Sequence, residues 1–204
     1  VTSFLMLLLR LGGNKSTLGI SLKTQELYFL VFCTRYVGLF FGEYFSIYDE
    51  MIKVLYVCLT AYIIYTIRYW GEYDSRLDSF RHWTFAVVPC ICFALFTGLV
   101  RGYKFLEILW IFSIFLEALA IVPQLITLHR YRETQNLTVR YVFFLGWYRL
   151  CYLAHWCFES REGDYRKWDW LVIGCTVVQC LFFFDFFYLS ALGFIFGAKY
   201  TLPH

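Results

Sequence analysis

Long apolar stretches separated by short polar ones dominate this chain. They run from about Gln25 to Phe41, Met51 to Trp70, Trp83 to Val100, Phe105 to Leu128, Tyr141 to Phe158 and Trp170 to Phe196. A helix needs roughly 20 apolar residues to cross a bilayer, so each stretch predicts one crossing. Val1 to Leu11 is apolar too but too short to span, and the sequence is therefore expected to begin inside a truncated first helix. The pattern predicts an all-α membrane protein with seven transmembrane helices, forming one domain over residues 1–204. The runs are continuous rather than alternating, which excludes a β-barrel. Pro89 predicts a kink in the fourth helix, of the kind neighbouring helices tolerate.

Composition narrows the function classes. The 204 residues are 60% hydrophobic, 23% aromatic and 16% charged, against about 45–50% apolar and about 25% charged in soluble domains. Soluble enzymes and disordered proteins do not look like this, and the crossings leave no room for a separate catalytic domain. A net charge of +3 is too small for a nucleic-acid partner. The eight cysteines all fall inside apolar runs without paired zinc spacing, and read as small buried hydrophobes. No metal, cofactor or secretory signal peptide is indicated.

Basic residues are uneven between the two sets of loops. One set, with the tail, holds ten (Arg10, Lys15 and Lys23; Arg68, Arg76 and Arg81; Arg130, Arg132 and Arg140; Lys199), and the other holds five (Arg101, Lys104, Arg161, Arg166 and Lys167). The bias places the C-terminus in the cytoplasm and, across seven helices, the N-terminus on the opposite side. The loop with Glu43, Asp49 and Glu50 falls on that opposite side. The sequons at Asn14 and Asn136 fall in cytoplasmic loops and are expected to carry no glycan. Lys23 to Arg35 is echoed by residues 137–149 at an offset of 114. The echo points to two three-helix units joined by a linker helix, a duplication that recurs in transporters with the site at the repeat interface.

Charge inside a bilayer costs roughly 2.5–3.5 kcal/mol per group. Arg35, Glu117, Arg149 and Asp185 all lie within helical runs. They either tie helices together or line a polar cavity for a charged ligand. Glu107, Trp110, Ile114 and Glu117 share one face of the fifth helix, and Tyr148, Tyr152 and His155 one face of the sixth. The carboxylates with Trp110 suit a cation, while Arg35 with Tyr36 suits a carboxylate, which the planar guanidinium grips. A ligand with one positive end and one free carboxylate fits, whether a peptide C-terminus or an amino acid. No nucleophile–base order, metal cluster or phosphate loop indicates an enzyme. His82, His129, His155 and His204 are scattered, and only His155 lies within a helix, either satisfied there or responsive to protons.

Longer motifs carry a resemblance. Gly19-Ile20-Ser21-Leu22-Lys23-Thr24-Gln25 with Thr34-Arg35-Tyr36 resembles the KDEL receptors, also called ER lumen protein-retaining receptors. So do Leu106-Glu107-Ile108-Leu109-Trp110, Leu116-Glu117-Ala118 and Ile121-Val122-Pro123-Gln124-Leu125. Gly146-Trp147-Tyr148-Arg149 with Tyr152-Leu153 and Trp156, Val178-Gln179, Asp185-Phe186-Phe187-Tyr188-Leu189 and the ending Leu202-Pro203 extend it along the chain. The resemblance implies a SWEET- or PQ-loop-like 3+1+3 fold with a lumenal N-terminus in ER and Golgi membranes. It implies capture of escaped ER residents by a C-terminal Lys/His-Asp-Glu-Leu signal in the Golgi and pH-dependent retrograde return, with the COPI coat as cytoplasmic partner. By position, Arg35 and Tyr36 hold the signal's terminal carboxylate, and Glu107 and Trp110 take its basic first residue. Tyr148, Tyr152, His155 and Trp156 line the pocket, and Asp169 adds an acidic contact. Glu117 and Tyr148 lock the bound state, and Asp185 serves retrograde transport.

Departures accompany the resemblance. Gly38 stands where an acidic residue is expected, and His155 where the family has asparagine. The family's lumenal arginine after the sixth helix falls near Glu159 or Arg161. The family's early histidine and arginine lie upstream of Val1, and the tail lysines are reduced to Lys199. The competing reading is a SWEET- or PQ-loop-like transporter of a sugar or amino acid. Pro123-Gln124 and the duplication favour it, and Arg35, Glu117 and Asp185 would then serve ion coupling.

Overall fold

A computed structural model describes residues 7–9, 19–38, 47–69, 73, 76, 78–130, 136–159 and 169–196; for residues 49, 129, 136–139, 159, 169, 185–186 and 189–196 it describes the backbone alone. These residues are mostly helical, without a strand among them. Residues 7–9 form α1. Then follow α2 (Leu22–Arg35), α3 (Ile47–Tyr69), a π-helical turn (Trp83–Val87) running into α4 (Val88–Arg101), α5 (Phe105–Leu119), α6 (Val122–Arg130), α7 (Asn136–Glu159) and α8 (Asp169–Phe196). Glu50–Tyr69, Trp83–Arg101 and Phe105–Leu128 are long and apolar enough to cross a membrane, and Trp170–Phe184 is a shorter apolar helix.

The ends of the helices follow local chemistry. Ser21 caps α2, its hydroxyl accepting from the Thr24 amide at 3.2 Å, so the helix starts three residues before the expected Gln25. It stops at Arg35 rather than Phe41: Tyr36 is the C-cap, its amide donating to Phe32 O at 3.0 Å, and a 3₁₀ turn follows at residues 37–38. Gly102 ends α4 at φ 68°, a left-handed C-cap that glycine adopts without steric cost. Two further differences arise at prolines. Pro89 has no amide to donate one turn back, and the helix widens into the π turn just ahead of it. The expected run from Phe105 to Leu128 remains one span but contains a turn at Ala120–Ile121, where Pro123 likewise withholds its amide.

α5 is the centre of the bundle and packs against α2, α4 and α8, while α7 packs on α8. Ile111 and Leu116 of α5, Leu27 and Val31 of α2, Tyr141 of α7 and Phe183 of α8 are buried, with Ile63 and Ile67 of α3 in the same core. Two glycines permit the closest approaches. A Cβ on Gly98 would lie 2.6 Å from Ile108, and one on Gly146 would lie 2.7 Å from Phe187 and 2.8 Å from Phe183. Phe93, Phe96 and Leu99 of α4 and Leu181 and Phe184 of α8 stay exposed on the outside. That distribution is costly in water and favourable in lipid.

One end of the bundle is closed by a polar network. Asp78, 2% exposed, accepts from Ser21 Oγ at 3.0 Å, the Lys23 amide at 3.2 Å and Tyr73 Oη at 2.8 Å. Gln124 accepts from the Ser21 amide at 2.9 Å and donates to Gly19 O at 2.8 Å. Nearby, His82 Nε2 lies 3.2 Å from Glu26 Oε2. Burial pushes the His82 pKa below its ordinary value, and the attraction of Glu26 only partly offsets this.

Candidate functional site

Three of the four charged residues expected inside helices converge. Arg35 of α2 and Arg149 of α7 both bond to Glu117 of α5: Arg35 Nη2 lies 2.6 Å from Glu117 Oε2, and Arg149 Nη2 holds Oε1. Arg35 Nε also donates to Ser113 Oγ at 3.1 Å, and Ser113 Oγ in turn donates to Trp110 O at 2.6 Å. Arg149 and Glu117 are buried, while the Arg35 side chain keeps 22% of its exposure. The two arginines are 114 residues apart, as are the first residues of α2 and α7, Leu22 and Asn136. The residues that echo each other in sequence therefore meet on one carboxylate.

A cavity of about 100 Å³ opens against this cluster. Arg35, Glu117 and Arg149 line it with Trp110 and Tyr152, and α8 closes it with Thr176 and Gln179. Gln179 is buried, and its Oε1 has no hydrogen-bond partner among the described residues. Two guanidiniums against one carboxylate leave one positive charge in excess among the described residues, in a setting where charge is poorly screened. A cavity of this kind suits a carboxylate.

The remaining expected residues stand around this centre rather than in it. Tyr36 stacks on Phe32, with ring centroids 5.9 Å apart and planes 3° apart. Glu107 takes the Lys104 amide at 2.8 Å, so its carboxylate caps α5. On α7, Tyr148 stacks on Tyr152 at 5.9 Å, and Tyr152 meets Trp156 edge-on at 6.0 Å. These three form an aromatic ladder at four-residue spacing. The Arg149 guanidinium sits 5.1 Å from the Tyr148 ring centroid. His155 is exposed and lies 6.1 Å from the Trp156 ring. The Trp156 indole N–H is buried and has no hydrogen-bond partner among the described residues. Glu117, expected to pair with Tyr148, is engaged here by the two arginines. The side chains of Asp169, Asp185 and Glu159, and all of Asn14, Glu43, Arg161 and Lys199, lie outside the described residues.

The sequence reading did not single out Ser113 or Thr176, and named Gln179 only within the Val178-Gln179 motif. Val172, Cys175, Thr176 and Gln179 follow offsets 3, 4 and 7 and so share one helix face. That signal was present, but it lay inside a strongly apolar run.

A family model described as ER lumen protein retaining receptor matches residues 16–159. Receptor A of Arabidopsis thaliana is 41% identical over 98% of this chain and 93% of its own length. Receptor B of the same plant is 39% identical over 100% of this chain and 94% of its own. ER lumen protein-retaining receptor 3 of Xenopus tropicalis is 40% identical over 98% and 92%. The chain belongs to the ER lumen protein-retaining receptor family. The family match encloses the whole Arg35–Glu117–Arg149 cluster and the aromatic ladder of α7. Asp169 and Asp185 lie beyond it, within the stretch aligned to receptor B. This is a family of receptors and not of enzymes, and membership favours the receptor reading over the transporter one.

Proposed function

We propose that this protein is the receptor that captures ER residents by a C-terminal KDEL- or HDEL-type signal in the Golgi and returns them to the ER by pH-dependent retrograde transport. The observation that carries this reading is the excess positive charge of the Arg35–Glu117–Arg149 cavity. A peptide's terminal carboxylate is the ligand group that neutralises it. Arg35 is the more accessible guanidinium and the one that changes partner. When the carboxylate arrives at Arg35, Glu117 is released to pair elsewhere, and Tyr148, one turn from Tyr152 at the cavity wall, is the candidate lock. Tyr36, the Tyr148–Tyr152–Trp156 ladder, His155 and Asp169 take the rest of the signal, with Glu107 and Trp110 receiving its basic residue. Supporting this, Trp156 offers a buried N–H that lacks an acceptor among the described residues.

The surrounding architecture on this reading is seven helices in a 3+1+3 arrangement, with the N-terminus lumenal and the C-terminus cytoplasmic. The COPI coat is the cytoplasmic partner, and Asp185 acts in transport rather than in binding. Protonation shifts the population toward the bound, coat-competent state.

The test is peptide affinity for the purified protein against pH. Peptides ending in KDEL or HDEL are expected to bind more tightly near about pH 5.5–6 than near about pH 7, across the range where histidine titrates. Arg35→Ala and amidation of the peptide terminus should each cost about 2–5 kcal/mol of binding, the usual loss when one partner of a buried charge pair is removed. Undiminished binding in both cases would show that the carboxylate is held elsewhere.

A further inference from the structure

A second cavity, of about 580 Å³, lies between α2, α3 and the start of α4, away from the arginine cluster. Its rim is polar and its depth is apolar. Glu26, Arg68 and His82 stand at the rim, each near one end of its helix and all at the end of the bundle closed by the Asp78 network. Below Glu26 on the same face of α2 lies Leu30, and below Arg68 on the same face of α3 lie Ile64 and Ala61. Tyr69 and Trp83, both largely exposed, flank the opening. Aromatic rings in that position mark the level of lipid headgroups.

The charges on the rim are of both signs. Arg68 is exposed and makes no hydrogen bond or ion pair among the described residues. Glu26 keeps 31% of its side-chain exposure beside His82. An apolar slot beneath one free guanidinium and one carboxylate matches a zwitterionic phospholipid. A purely anionic head would meet Glu26 as a like charge, and a quaternary ammonium would donate no hydrogen bond to that carboxylate. A primary ammonium donates to it directly.

We propose that this groove is a binding site for a phosphatidylethanolamine-type phospholipid. The phosphate rests on Arg68, the primary ammonium on Glu26, and an acyl chain runs down the groove past Leu30, Ile64 and Ala61. Its basis is separate from that of the signal-binding cavity.

The experiment is native mass spectrometry of the full chain, delipidated in detergent. It is titrated with phosphatidylethanolamine, phosphatidylcholine and phosphatidylglycerol of the same acyl chains, and with glycerophosphoethanolamine, which lacks them. The ethanolamine lipid is expected to bind about fivefold more tightly than the other two, the worth of one charge contact at a membrane surface. Glu26→Gln should remove that preference, because only the group facing Glu26 differs among the three, and Arg68→Gln should weaken all three, because all carry the phosphate. Ala61→Phe, which fills the slot, should weaken all three lipids alike. Arg68 is exposed, so Arg68→Gln leaves the fold intact and keeps the test decisive even where a groove variant expresses poorly. Equal affinity for the three lipids, a preference unchanged in Glu26→Gln, or affinities unchanged in Arg68→Gln would overturn the proposal. Equally tight binding of the chain-free headgroup would also overturn it, because the site would then read soluble phosphate and not lipid.

Discussion

Glu117 is the residue on which the interior depends. Its two oxygens are divided between Arg35 and Arg149, so its loss strands two cations in a low-dielectric interior. The loss of Arg149 strands none, because Arg35 and Glu117 remain as a neutral pair. An ordering follows. Glu117→Ala should destabilise by about 3–5 kcal/mol, the cost of breaking a buried charge pair, whereas Arg149→Met, which fills the volume without charge, should cost clearly less. Thermal unfolding of both variants in one detergent checks the order, and equal losses would mean that the arginines are not balanced through Glu117. The sequence made the participants legible, since ionised groups inside apolar runs are rare. It did not reveal their pairing, because a helical run fixes depth and face but not which neighbouring helix supplies the partner. Arg149 is therefore legible as a buried charge without a place in the site, and Gln179, polar but uncharged, only as part of a motif.

At the scale of helices, hydrophobic length located the helices but not their ends. The ends answer to single groups that a hydropathy window averages away: the Ser21 hydroxyl at the start of α2, the αL glycine at the end of α4, and the missing amides of Pro89 and Pro123. Packing between helices was also hidden, because one glycine in an apolar run looks like any other. Gly102 is needed for its backbone angle, while Gly146 is needed for space. At Gly146, Phe183 and Phe187 of α8 already occupy the position of a Cβ. Phe183 is only 2% exposed, so its ring has little room to yield. Gly146→Val is therefore expected to force α7 and α8 apart at a cost of about 1–3 kcal/mol, the usual range for overpacking a filled core. Gly174→Ala, where a Cβ meets nothing within 4 Å, serves as the matched control on α8 and should leave the unfolding temperature almost unchanged.

Across the whole molecule, two ends with different chemistry are joined by a lipid-facing middle. One end carries the Ser21–Asp78–Gln124 network together with Arg68, Arg76, Arg81 and Arg130. The opposite end carries the Gly102 turn with Lys104 and Glu107. On the proposed reading the uneven distribution of basic residues puts the first end in the cytoplasm, and that orientation would decide which compartment's peptides reach Arg35. Arg81 and Lys104 are both exposed and stand at opposite ends of the span Trp83–Arg101, so they report orientation directly. In sealed microsomes with the cytoplasmic face outward, Arg81→Cys should react with a membrane-impermeant maleimide at once, measured above the background of the eight native cysteines. Lys104→Cys should react only after the membrane is opened. The opposite pattern would invert the protein in the membrane and expose Glu107 and Trp110 to the cytosol. A receptor for lumenal signals has no use for that orientation, so this labelling experiment tests the functional reading independently of any peptide.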